Sequence, residues 1–67
     1  MKIQVVSYKN NSILWDCLNE MEDKQIKSTI KNGDKGFAAA FEIEDSKEEQ
    51  ARRIIRKYVK NKLLRTT

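Results

Sequence analysis

DKQIKSTIKNGDKGFAAAFEIED, residues 23 to 45, is the stretch on which the fold turns. Gln25, Lys27, Thr29 and Lys31 alternate with Ile26, Ser28 and Ile30, and that alternation marks a strand with one buried face. Asn32-Gly33 follows, the dipeptide that best tolerates positive φ in a tight hairpin turn. Beyond it Phe37, Ala39, Phe41 and Ile43 alternate with Ala38, Ala40 and Glu42. The stretch predicts a hairpin of residues 25–31 and 36–44. A competing reading continues the preceding helix through Ile30, since Ile26 and Ile30 stand four apart, and uses Gly33 as its C-cap.

Working outward, KIQVVSY (residues 2–8) is rich in β-formers and has no breaker, so it predicts a first strand. Ile3 and Val5 would share one face, with Gln4, Val6 and Tyr8 on the other. In KNNS (9–12), Asn11 or Ser12 can cap a helix by accepting a backbone N–H. Ile13, Leu14, Cys17, Leu18 and Met21 then form a helical stripe ending near Asp23. Downstream, Asp45-Ser46 with Glu49 reads as a capping box. The helix it opens, residues 47–63, would bury Ala51, Ile54, Ile55, Tyr58, Val59 and Leu63. LLRTT (63–67) either adds a short fourth strand or frays over residues 64–67.

The order is βαββα, a small single α+β domain of residues 1–67. It resembles the split βαβ unit, half of a ferredoxin-like fold. Right-handed crossover puts both helices on one face of a three-stranded sheet. The third strand would be central, and GFAAAF is apolar on both faces as a central strand should be.

Sixty-seven residues bury about 60% of the surface the unfolded chain exposes. That leaves no room for a deep substrate cavity with a supporting shell. One cysteine, Cys17, allows no intramolecular disulfide, which favours a reducing compartment, the cytoplasm. No run approaches membrane-spanning length. The chain has no histidine, removing the commonest general base and metal ligand. Its two glycines are too few for a phosphate-binding loop. A non-catalytic protein without cofactor or metal is expected.

The net charge of +4 is unevenly placed. Residues 1–46 carry six basic and eight acidic side chains, whereas residues 47–67 carry eight basic and two acidic. The order of charge along the second helix, Glu48 and Glu49 first and bases later, is what the helix dipole favours. A solvated face alone does not explain why no acid follows Ala51. Like charges at Arg52–Arg56–Lys60 and Arg53–Lys57 cost a few tenths of a kcal/mol each, and that cost suggests use. Arg52, Arg53, Arg56, Lys57 and Lys60 are therefore expected to contact phosphates of a nucleic acid, giving affinity without sequence readout.

The stretch from the hairpin through SKEEQARRII is similar to the end of a double-stranded RNA-binding domain, in which a basic helix also follows a hairpin. It departs from that family where Glu48 and Glu49 replace the lysines at the helix start. The open sheet face would carry Val6, Tyr8, Lys27, Thr29, Lys31, Ala38 and Ala40. Only Tyr8 there could stack on a base, unlike the aromatic sheet of an RNA-recognition motif.

The alternative reading is a regulator or inhibitor, of the kind phages and mobile elements encode, that docks on a partner protein through its sheet face or edge. Its contact residues would be Tyr8, Trp15, Lys27, Lys31 and Ala38. Trp15 lies beside the apolar stripe of the first helix, either closing the core's rim or serving as an exposed anchor. The open face also offers a surface for a homodimer, and no membrane partner is expected. Asp16, Glu20, Glu22 and Asp23 read as a solvated acidic face, and Cys17 as a small core residue.

Overall fold

The computed structural model describes residues 1–66; Thr67, the last residue of the segment expected to pair or fray, lies outside the described residues. The elements run β1 (Lys2–Ser7), α1 (Ser12–Asp23), β2 (Ser28–Asn32), β3 (Ala39–Ile43), a 3₁₀ turn (Asp45–Lys47), α2 (Glu48–Lys60) and β4 (Leu64–Thr66). Strand order is β2-β3-β1-β4, and every neighbouring pair is antiparallel. β1-α1-β2 and β3-α2-β4 are thus two split βαβ units, each with the other's first strand in its gap. The sheet has four strands, because Leu64–Thr66 pairs with Val5–Ser7 instead of fraying.

One sheet face and both helices enclose the core. Ile3, Phe41 and Ile30 sit side by side across three strands, with Val5 beside Ala39 in the next row. Leu14, Cys17 and Met21 of α1 and Ala51, Ile54 and Ile55 of α2 pack onto them. Ile13, Leu18, Tyr58 and Val59 close the margin, half-buried. Phe41 is fully buried at the centre.

β2 begins at Ser28, three residues later than the alternation predicts. The reason lies at the end of α1. The Gln25 N–H donates to the Glu22 carbonyl at 2.9 Å and the Ile26 N–H to the Met21 carbonyl at 3.0 Å. This Schellman closure needs a left-handed residue at its centre, and Gln25 supplies it with φ 62°. Ile26 and Met21, both buried, make the apolar contact of the motif. α2 ends identically, with Lys62 at φ 60° and bonds from Lys62 to Val59 and from Leu63 to Tyr58, each 3.0 Å. Leu63 accordingly belongs to this turn, not to the helix. Neither motif uses glycine, so the usual C-terminal signal is missing from the sequence. The continuous-helix reading through Ile30 fails at the first of these turns.

The hairpin forms, but its turn is not Asn32-Gly33. Asn32 pairs with Ala39, and residues 33–38 make the loop. Its tight turn is centred on Lys35 (φ 52°) and Gly36 (φ 88°), closed by the Phe37 N–H on the Asp34 carbonyl at 3.1 Å. Two successive positive φ values are the demand of a type I′ turn. Gly33 is required for a different reason: a Cβ there would stand 2.1 Å from the Phe37 carbonyl oxygen.

The loop folds back across the open sheet face. The Asp34 N–H donates to Gln4 Oε1 at 3.0 Å, and the Arg65 guanidinium carbon lies 4.7 Å from the centre of the Phe37 ring. Ala40, which pairs with Gln4 on this face, is fully buried. Phe37 thus leaves the core face predicted for it. Val6, Thr29, Lys31 and Ala40 hold the expected open face, whereas Tyr8, Lys27 and Ala38 lie just beyond strand ends.

The predicted caps are replaced too. Ser46 does not close a capping box; its hydroxyl donates to the Glu44 carboxylate at 3.1 Å, and α2 starts after the 3₁₀ turn. At α1 neither Asn11 nor Ser12 caps. Asn10 Oδ1 instead accepts the Ser12 N–H at 3.0 Å.

Candidate functional site

α2 owes its shape to a stripe of Ala51, Ile54 and Ile55 buried beneath a face of cations. Arg52, Arg56 and Lys60 stand one turn apart along that face. The acids missing after Ala51 are supplied from elsewhere. Arg52 pairs with Glu48 at 2.9 Å and Arg53 with Glu49 at 3.0 Å, both from one turn back. Lys57 pairs with Glu20 across the α1–α2 seam, where the Tyr58 hydroxyl also donates to Glu20 at 3.2 Å. Among the described residues, Arg56 and Lys60 have no carboxylate within ion-pair distance.

The five cations expected to touch phosphate therefore fall into three kinds. Arg56 and Lys60 are free. Arg52 and Arg53 hold exposed pairs, which contribute little and exchange readily for another anion. Lys57 is committed to a half-buried carboxylate. Its hydrogen bond is the main reason the Glu20 carboxyl sits below its ordinary value.

Sequence reading misses what adjoins the free end of this face. β4 lies beside β1, so the turn after α2 meets the turn after β1. The Tyr8 N–H donates to the Leu63 carbonyl at 3.1 Å. The Ser7 hydroxyl donates to the Asn10 carbonyl at 2.7 Å and accepts the Lys9 N–H at 3.1 Å, which fixes the Tyr8-Lys9 turn. Tyr8, 60% exposed, and Lys9 thus stand next to the Lys60–Lys62 turn. Lys62 is exposed at the apex of its Schellman turn. No local signal reveals this grouping, because it depends on the pairing of LLRTT with KIQVVSY.

The docking residues separate. Trp15, 51% exposed, lines a cleft between α1 and the loop end of the hairpin together with Leu14, Ile30, Lys31 and Ala38. Lys27 lies further along the β2 edge, and Tyr8 is in the basic corner. Burial first, and the neighbouring Glu20 second, push the Cys17 thiol up to about 12; it is a protonated core group at neutral pH. Desolvation and Glu20 likewise push the Tyr58 phenol up to about 12. Among the described residues, no group of three or more Cys, Asp or Glu side chains is placed to hold a metal ion, and no helix is long and apolar enough to cross a membrane. No known protein family, curated protein or solved structure matches the chain.

Proposed function

We propose that this is a small non-catalytic binding protein that holds a nucleic acid strand on the basic corner where α2 ends. Arg56, Lys60, Lys62 and Lys9 serve as phosphate contacts. Tyr8 offers a ring on which an unpaired base can stack, and Arg52 and Arg53 extend the track when they release Glu48 and Glu49. What supports the reading is the meeting of an exposed aromatic with cations that lack carboxylate partners. Single-stranded binders combine those two elements, an electropositive path and a stacking platform. Each phosphate contact adds salt dependence because it releases a counterion.

The test is an amide NMR titration with oligothymidine, a DNA duplex of equal length and heparin, each at low and high salt. Shifts at Tyr8, Lys9 and residues 56–62, stronger with oligothymidine and fading with salt, are expected. Lys60→Glu with Lys62→Glu should remove them, and Tyr8→Ala should erase the preference for the single strand. An equal response to heparin would leave charge alone as the binder. Silence at low salt would end the reading.

A further inference from the structure

β2 is an edge strand with its outer side open. The Glu44 N–H on the Lys27 carbonyl and the Gly33 N–H on the Ala38 carbonyl set the hydrogen-bonding register toward β3 at odd-numbered residues. The backbone groups of Ser28, Ile30 and Asn32 therefore point away from the sheet. Among the described residues, nothing hydrogen-bonds to them. Five residues of unpaired edge form a template for another strand.

Side chains give this edge two distinct faces. Toward the helices, half-buried Ile30 opens into the cleft beneath half-exposed Trp15. Toward the open sheet face, Lys27, Thr29 and Lys31 alternate with them, and no acid occurs between Gln25 and Gly33. At one end Glu44 Oε2 accepts the Lys27 N–H at 3.0 Å on the β3 side, which leaves the outer side of the edge free.

We propose that the β2 edge is a strand-addition site for an extended acidic peptide, in which apolar and carboxylate side chains alternate. The peptide backbone satisfies Ser28, Ile30 and Asn32. Its apolar side chains enter the cleft beside Trp15 and Ile30, and its carboxylates lie against Lys31 and Lys27. This is main-chain affinity combined with side-chain pockets on alternate residues. Charge selects this occupant over a second copy of the chain. Antiparallel self-pairing about Ile30 would set Lys31 of each copy opposite Thr29 of the other, making the two Lys31 side chains diagonal neighbours. It would gather four lysines along one short ladder with no acid between them, whereas an acidic peptide sets carboxylates there.

The probe is the peptide EVEVEVE, with KVKVKVK as its control, read by Trp15 fluorescence and by amide exchange. Trp15 is the only tryptophan, so its emission reports the cleft directly. EVEVEVE should shift that emission to the blue and slow exchange at Ile30 and Asn32, while KVKVKVK does neither. Trp15→Ala should weaken binding about tenfold or more, as for an aromatic anchor. Lys31→Glu should reverse the preference between the two peptides. Asn32→Pro removes only an outward N–H, so it should block addition while the β2–β3 ladder persists. Equal binding of both peptides, or no slowing at millimolar EVEVEVE, would overturn the proposal. So would protection of the same amides that rises with protein concentration alone, since the occupant would then be a second copy.

Discussion

Gln25 and Lys62 carry the conformational load at the ends of the two helices. Each adopts a left-handed φ that costs a side-chain-bearing residue about 1–2 kcal/mol. Glycine would relieve most of that cost while losing some entropy to the unfolded chain. Gln25→Gly should therefore raise stability by about 0.5–1 kcal/mol, read as a higher urea midpoint with an unchanged slope. Among the described residues, Glu20 is the one carboxylate that ties α1 to α2. The Lys57 hydrogen bond, then that of Tyr58, holds its pKa below the ordinary 4.5. A lowered folded value means the unfolded chain takes up the proton first. The contribution is therefore present above 4.5 and is lost as pH falls through the folded value. As pH falls from above 4.5 through the folded value, Glu20→Gln should lose less stability than the parent, measured by denaturant unfolding across that fall.

At the scale of elements, the β2–β3 hairpin is both a strand pair and a cover. Its loop returns over the open face and is held by Gln4 on β1 and by the stacking of Arg65 on Phe37. Phe37 is half-buried, and a cation over such a ring contributes about 0.5–2 kcal/mol. Phe37→Ala should make the Asp34 amide exchange several-fold faster while Phe41 and its neighbours in the ladder keep their protection. A uniform rise across the sheet would instead assign Phe37 to the core. In α2, charge order and apolar stripe agree locally. Its cations acquire different roles only because Glu20 reaches one of them and the β1–α1 turn reaches its far end.

For the molecule as a whole, a chain of this length carries a total stability of about 3–10 kcal/mol. Phe41 sits fully buried where three strands and both helices meet. Phe41→Ala should cost about 3–5 kcal/mol, enough to leave much of the population unfolded, as circular dichroism would register. Cys17 gives an independent reading of the same cooperativity. Its thiol is completely buried and its pKa is raised, so it should resist alkylation in the native state. The labelling rate should follow the global unfolding equilibrium as denaturant is added. Fast labelling in native buffer would mean that α1 opens separately from the sheet.

The sequence by itself determined β1, α1, β3 and α2 and their order, and it favoured β2 as a strand, with β3 central and one helix-covered face. Those features follow from periodicity, and periodicity is local. Ile3 and Val5, the α1 stripe and the α2 stripe all point where the alternation or the helical repeat sends them. Tertiary structure decided the rest, because the deciding contacts join residues far apart in the chain. Gln25 and Lys62 turn left-handed where helix carbonyls must be satisfied and Ile26 and Leu63 must reach inward, a demand that outweighs their own preference. The turn moves from Asn32-Gly33 to Lys35-Gly36 because the loop gains contacts with Gln4 and Arg65 by lying across the sheet. The basic corner follows the same rule: its cations were legible in the charge tally, but Tyr8 and Lys9 join them only when β4 settles beside β1. A strand of three residues has little periodicity to read, and its place is set by the buried edge of β1 that it completes.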